Sequence, residues 1–205
     1  MPQVLKPDVR RRIVEAGEAV FFESGYHAAS MTQIGQLAGV SASNIYRYFA
    51  DKDALFEAVL PEELIDRHEA LLSARLGALE QDDSLGAEAD ELLDFWVANR
   101  FAMAILLGHG GPTTRSWYQD AFVDRLTQSA VSLIREPRSE AAEKVLRIVF
   151  DNTRRALAAM FRDAADADEL RVLIHAFWSY QVPGLAGLIA WTNSASPSSR
   201  RSSRL

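Results

Sequence analysis

Ser30-Met31-Thr32-Gln33-Ile34-Gly35-Gln36-Leu37-Ala38-Gly39-Val40-Ser41-Ala42-Ser43-Asn44-Ile45-Tyr46-Arg47-Tyr48-Phe49 reads as two short helices joined by a tight turn. Ser30 is placed to cap the first helix, and Gln33 stands three residues on, the spacing of a capping box. Met31, Ile34, Leu37 and Ala38 then share one helical face. Gly39 supplies the left-handed residue that ends a helix without strain, Val40 follows as a buried plug, and Ser41 can cap the second helix. In that second helix, ending at Phe49, Ile45 and Phe49 lie four apart and face the core, while Ser43, Asn44 and Arg47 point the other way. A short polar helix held across an apolar one is the geometry by which a helix-turn-helix enters a DNA major groove.

Working outward, residues 1–7 form a frayed arm bracketed by Pro2 and Pro7, and a helix is expected over 8–24. Val9, Ile13, Ala16, Val20 and Phe21 make its apolar stripe, and Gly25 stops it. After Phe49, Asp51 is positioned to cap a fourth helix with Lys52 in its first turn. A cation opposes the helix dipole there. Lys52 therefore either faces an anion, such as a DNA phosphate, or is simply solvated. Helical spacing continues from Leu55 to about Gly77 through Pro61, which either kinks the run or splits it. Residues 81–86 read as a loop, and a strongly apolar helix follows over 87–107, broken by Gly108-His109-Gly110-Gly111-Pro112. Further helices are expected over 113–135, 139–161 and 166–191. Nothing reads as a strand or a repeat, so the predicted fold class is all-α: an N-terminal three-helix helix-turn-helix domain followed by a helical bundle.

The stretch resembles the TetR/AcrR-type transcriptional regulators. The resemblance rests on Gly25-Tyr26, Ile34-Gly35, Ala38-Gly39-Val40-Ser41, Ile45-Tyr46-Arg47-Tyr48-Phe49 and Lys52-Asp53-Ala54-Leu55, in that order and at fixed spacing, and covers residues 8–60. Gly35 stands where the family usually has alanine, which loosens the first short helix by roughly 1 kcal/mol. Ser43 stands where a small residue, often glycine, is usual. The resemblance implies a dimeric repressor with a DNA-binding domain at 1–54 and a ligand-binding and dimerisation domain at 55–192. Residues 193–205, rich in Ser and Arg, read as a disordered tail, either solvated or brushing an acidic surface.

Composition sets the bounds. The 205 residues are 48% apolar and 24% charged, as in an ordinary globular protein, and contain no cysteine, which excludes disulfides and thiol chemistry. The first dozen residues lack the apolar core of a signal peptide, and the longest uninterrupted apolar run, Phe101 to Leu107, is far short of a membrane span. A cytoplasmic location is expected. The net charge of −6 does not advertise nucleic-acid binding, but local charge and backbone donors matter more than the sum. Lys6, Arg10, Arg11 and Arg12 give a basic start. His27, His68, His109 and His175 are scattered outside any metal-ligand spacing, and no phosphate loop, nucleophile elbow or dinucleotide fingerprint is present. No enzymatic activity, metal or cofactor is expected.

Within the DNA-reading stretch, Arg47 suits a bidentate bond to guanine and Asn44 a pair with adenine. Asn44 has local backbone bonding as its alternative. Tyr46, Tyr48 and Lys52 are candidate phosphate clamps, with Tyr46 equally readable as a core aromatic. Ser30, Thr32, Ser41 and Ser43 complete the expected DNA-binding set, the first two at a helix start where free N–H groups favour phosphate. One head reads only a few base pairs, so a dimer on a pseudo-palindrome is expected, its recognition helices one or more helical turns apart. Its seam would use Val145, Val149, Ala156 and Met160 with Leu173, Phe177, Trp178, Tyr180 and Leu185; the alternative buries these within one protomer. Phe95, Trp96, Asn99, Met103, His109, Trp117, Tyr118 and Phe122 either line a pocket for a lipophilic or aromatic inducer, as the resemblance implies, or simply pack the core. The helix that begins at Lys52, with Pro61 as its flex point, is the expected lever between them.

Overall fold

A computed structural model describes residues 6–80, 86–108, 113–134 and 140–194. The loop at 81–85, His109, the arm up to residue 5 and the tail from 195 lie outside the described residues. Among the described residues there are helices and no strand: α1 (Pro7–Ala28), α2 (Met31–Ala38), α3 (Ala42–Ile45), α4 (Lys52–Val59), α5 (Glu62–Glu80), α6 (Ala87–Ala98), α7 (Arg100–Leu107), α8 (Thr113–Ser132), α9 (Glu140–Asp163) and α10 (Ala167–Ser194). The all-α expectation holds.

The first four helices enclose one apolar centre. α1 contributes Ile13, Ala16 and Phe21, α2 contributes Ile34, the turn after α3 contributes Phe49, and α4 contributes Leu55 and Phe56, all buried. Gly25 interrupts α1 with a φ of 74°, so the helical stripe ends where glycine permits it. The chain then continues for one loose turn before α2. α5 to α10 form the second layer of packing, around Leu92, Met103, Phe122, Phe150, Leu157 and Phe161. α1 lies against α7 as well as α2 and α4, which joins the two parts of the chain.

Several boundaries differ from the sequence expectation. Pro61 splits the run after Lys52: α4 ends at Val59, Leu60 leaves the helical region, and α5 starts at Glu62. The expected helix over 87–107 is two helices, because Asn99 departs to φ −116° and ψ 28°. Its side-chain Nδ2 donates to the Phe95 carbonyl at 2.8 Å and satisfies the end of α6. α3 is a single turn, shorter than the helix expected up to Phe49. Among the described residues one helix also has the length and composition of a membrane span, a test that core helices pass as well. That helix is α10. His175, Ser179 and Gln181 interrupt its apolar run.

Candidate nucleic-acid interface and ligand cavity

The turn that carries the polar face is fixed at both ends by capping. Ser30 Oγ accepts from the Gln33 N–H at 3.2 Å, and Gln33 Oε1 accepts from the Ser30 N–H at 3.0 Å, the reciprocal pair of a capping box. Gly39 takes φ 66° and ψ 36°, and the Val40 N–H returns to the Gly35 carbonyl at 2.9 Å. Ser41 Oγ accepts from the Asn44 N–H at 3.3 Å, which starts α3. Ile45 and Phe49 are buried beneath it. With the inner face anchored, Ser43, Tyr46 and Arg47 are exposed together on the outer face. Asn44 is half-buried beside them. Ser30, Thr32 and Ser41 are exposed at the two helix starts, alongside this face in sequence and cap geometry.

Three residues change character. Tyr46 is 54% exposed, which removes the core-aromatic alternative. Tyr48 is half-buried, and its hydroxyl accepts from the Lys6 N–H at 3.2 Å. Lys52 is the correction. Its ammonium donates to the carbonyls of Tyr26 at 2.7 Å and Ala29 at 3.0 Å, and lies 4.4 Å from the centre of the Tyr26 ring. The cation therefore satisfies carbonyls left over at the end of α1, rather than standing free as a phosphate clamp. Tyr26 in turn donates its hydroxyl to Asp53, and burial together with that bond pushes its pKa up to about 12. Gly25-Tyr26 and Lys52-Asp53, far apart in sequence, thus lock the end of α1 to the start of α4. Two basic residues of the N-terminal stretch fold back near this turn: the Lys6 backbone N–H reaches Tyr48, and the Arg10 guanidinium lies 5.2 Å from the Phe49 ring. The basic start was visible in the sequence, but its fold-back across about 40 residues was not.

In the second part of the chain, α5, α6, α8, α9 and α10 surround a cavity of about 120 Å³. Of the expected pocket residues, Trp96 and Phe122 line it. Met103 is buried in the core, Trp117 is 49% exposed, and Asn99 caps α6. Phe95 packs flat against His68, and Tyr118 is buried with its hydroxyl 2.6 Å from His68 Nδ1. Phe95 and Tyr118 leave the cavity wall because they pack around His68. The cavity lining includes Leu72, Arg75, Leu126, Thr153, Trp178 and Gln181, drawn from helices the sequence did not connect. Burial pushes the His68 pKa down to about 4, with the nearby Arg125 charge acting in the same direction, so the ring is neutral near pH 7. Its Nε2 has no partner.

Residues 13–59 match the family model of bacterial regulatory proteins of the tetR family. The N-terminal domain belongs to the TetR family. Over a longer span the chain is 27% identical to the HTH-type transcriptional repressor Rv1474c of Mycobacterium tuberculosis, across 85% of this chain and 95% of that protein. It is 37% identical to the HTH-type transcriptional regulator BetI of Yersinia pestis over 48% of this chain, which spans 59% of BetI's length. The multidrug binding protein EbrR, solved in complex with malachite green, shares the fold with a TM-score of 0.52 at 16% identity, over 88% of this chain and 97% of EbrR.

The TetR-type domain meets the rest of the chain at α7. Phe22 of α1 and Phe101 of α7 pack edge to face with centroids 4.8 Å apart, and Arg162 of α9 lies 5.6 Å from the Phe22 ring. Arg162 also donates to the Phe22 carbonyl at 3.3 Å. Further along, α9 and α10 leave apolar groups in the open. Val145 and Tyr180, both expected at the dimer seam, are 40% and 78% exposed. Ile148, Val172 and Trp191, which were not singled out, are exposed too. Val149, Ala156, Met160, Leu173 and Phe177 are half-buried. Trp178 and Leu185 are corrected: they line the cavity, because they lie on the side of α10 that faces the bundle.

Proposed function

We propose that this chain is a ligand-responsive, DNA-binding transcriptional repressor, acting in the cytoplasm as a homodimer on a pseudo-palindromic operator. The observation that carries the reading is the capped α2–α3 pair with the turn that follows it, which together bury Ile45 and Phe49 and present Ser43, Tyr46 and Arg47 outward as one polar face. Arg47 and Asn44 supply the side chains suited to guanine and adenine edges, while Tyr46, Tyr48 and the N-termini of α2 and α3 hold phosphate. The exposed apolar residues of α9 and α10 support self-association through those two helices. Residues 1–54 then act as the reading head and 55–192 as the ligand-binding and dimerisation part.

A small, largely apolar molecule in the α5–α10 cavity would release the operator if it binds better to the protomer spacing that misfits the grooves. α4 and the α1–α7 junction both lead from the bundle to the head. The test is selection of random duplex DNA by the intact protein, followed by competition of the bound duplex with small apolar molecules. The reading expects a palindrome to be enriched and at least one cavity ligand to release it. Absence of any enriched sequence at low salt would overturn it, and would favour a helical small-molecule-binding protein that does not read DNA.

A further inference from the structure

The start of α1 folds onto the end of the reading unit. Lys6 stands just before α1, and its backbone N–H donates to the Tyr48 hydroxyl at 3.2 Å. The Arg10 N–H returns to the Lys6 carbonyl at 3.2 Å, so the two residues share one turn. The Arg10 guanidinium lies 5.2 Å from the centre of the Phe49 ring. Tyr48 and Phe49 directly follow Tyr46 and Arg47, so these contacts bring the first turn of α1 next to the segment that carries the polar face. Lys6 and Arg10 are both exposed there.

Charge is shared unevenly along this turn. Residues 6–12 hold four cations and one acid. That acid, Asp8, and the nearby Glu15 both face Arg11, at 3.6 and 3.8 Å. Among the described residues Arg10 is left without a carboxylate partner. A phenol that accepts one hydrogen bond keeps its own O–H to donate, and among the described residues nothing accepts that of Tyr48. An exposed guanidinium with a phenolic donor on the neighbouring residue suits a phosphate, the one supplying charge and the other a second donor.

We propose that Arg10 and the Tyr48 hydroxyl together bind one backbone phosphate of the operator in each half-site, with the Lys6 ammonium adding charge beside them. This rests on the reading of α2–α3 as the DNA-reading unit. It gives the head the cationic phosphate contact that Lys52, bonded to carbonyls at the end of α1, does not supply.

The test uses the palindromic duplex that the intact protein selects, with affinity measured between about 50 and 200 mM salt. Arg10→Met and Arg10→Gln, each checked by thermal melt, should lower the slope of log affinity against log salt by about one unit per half-site, and weaken all sequences alike. Arg10→Lys should keep the slope, and so should Arg11→Gln, whose cation is already paired within α1. Tyr48→Phe should weaken binding several-fold with the slope and the sequence preference unchanged; full affinity in that variant would remove the hydroxyl from the site. A folded Arg10→Met protein with the parent's slope makes the guanidinium a cover for Phe49 alone, and overturns the site while leaving DNA reading intact. Preference lost at a single base position overturns it too, because Arg10 would then touch a base edge. If the parent enriches no palindrome, the site falls together with the reading it rests on.

Discussion

Lys52 shows how a residue type at a given position takes its role from its neighbours. A cation in the first turn of α4 costs energy against the dipole, and the compensation is the bonding to Tyr26 and Ala29 carbonyls rather than an external anion. Lys52→Met is therefore expected to destabilise the protein by about 2 kcal/mol, the scale of charged hydrogen bonds, in chemical denaturation. In the same variant the salt dependence of DNA binding should keep its slope. Loss of about one unit would mean that Lys52 neutralises a phosphate after all. His68 gives a pH prediction. Its folded pKa of about 4 lies below the ordinary value of 6.5, so the unfolded chain binds more protons between those pH values. The stability due to neutral His68 is full above pH 6.5 and is lost as pH falls toward 4, by about 3 kcal/mol in all. His68→Phe should flatten that segment of the stability profile, and an unchanged slope would contradict the account.

At the scale of elements, the α2–turn–α3 unit was legible in its caps and anchors, though Leu37, expected on the apolar face of α2, is 60% exposed and Val40 is only half-buried. Its caps, its left-handed glycine and its two buried anchors are all local rules, and each was met. Gly39→Ala meets only ordinary contact with Arg12, so its cost is conformational. It should lower stability by about 1 kcal/mol and weaken DNA binding in parallel by tilting α3. A variant as stable as the parent would show that the turn does not need the left-handed residue. Longer helices were legible in position but not in their breaks. Asn99 and Pro61 divide runs whose apolar periodicity continues across the gap, and periodicity alone does not register a local cap. The cavity was the least legible part. The sequence placed it among aromatics close together in the chain, whereas folding stacks those rings around His68 and builds the cavity wall from five helices. Arg75 and Thr153, far apart in sequence and unremarkable there, line one cavity only in three dimensions.

The whole molecule places its reading face and its exposed apolar helices on different elements, as a dimer on two half-sites requires. Val172 and Tyr180 are 66% and 78% exposed on α10, so charges there cost the protomer little. The double variant Val172→Glu, Tyr180→Glu should sediment as a monomer with unchanged helix content and bind a two-site duplex much more weakly, because the second contact is no longer tethered to the first. A variant that remains dimeric would move the seam elsewhere. The central claim, that the α2–α3 pair reads base edges, is tested most directly by position-resolved DNA selection with the parent and Arg47→Ala. The account predicts that preference disappears at one position per half-site, at a cost of about 1–3 kcal/mol, while the remaining positions keep theirs. An equal loss at all positions would reduce Arg47 to a phosphate contact, and an unchanged preference would contradict the assignment of α3 as the recognition helix.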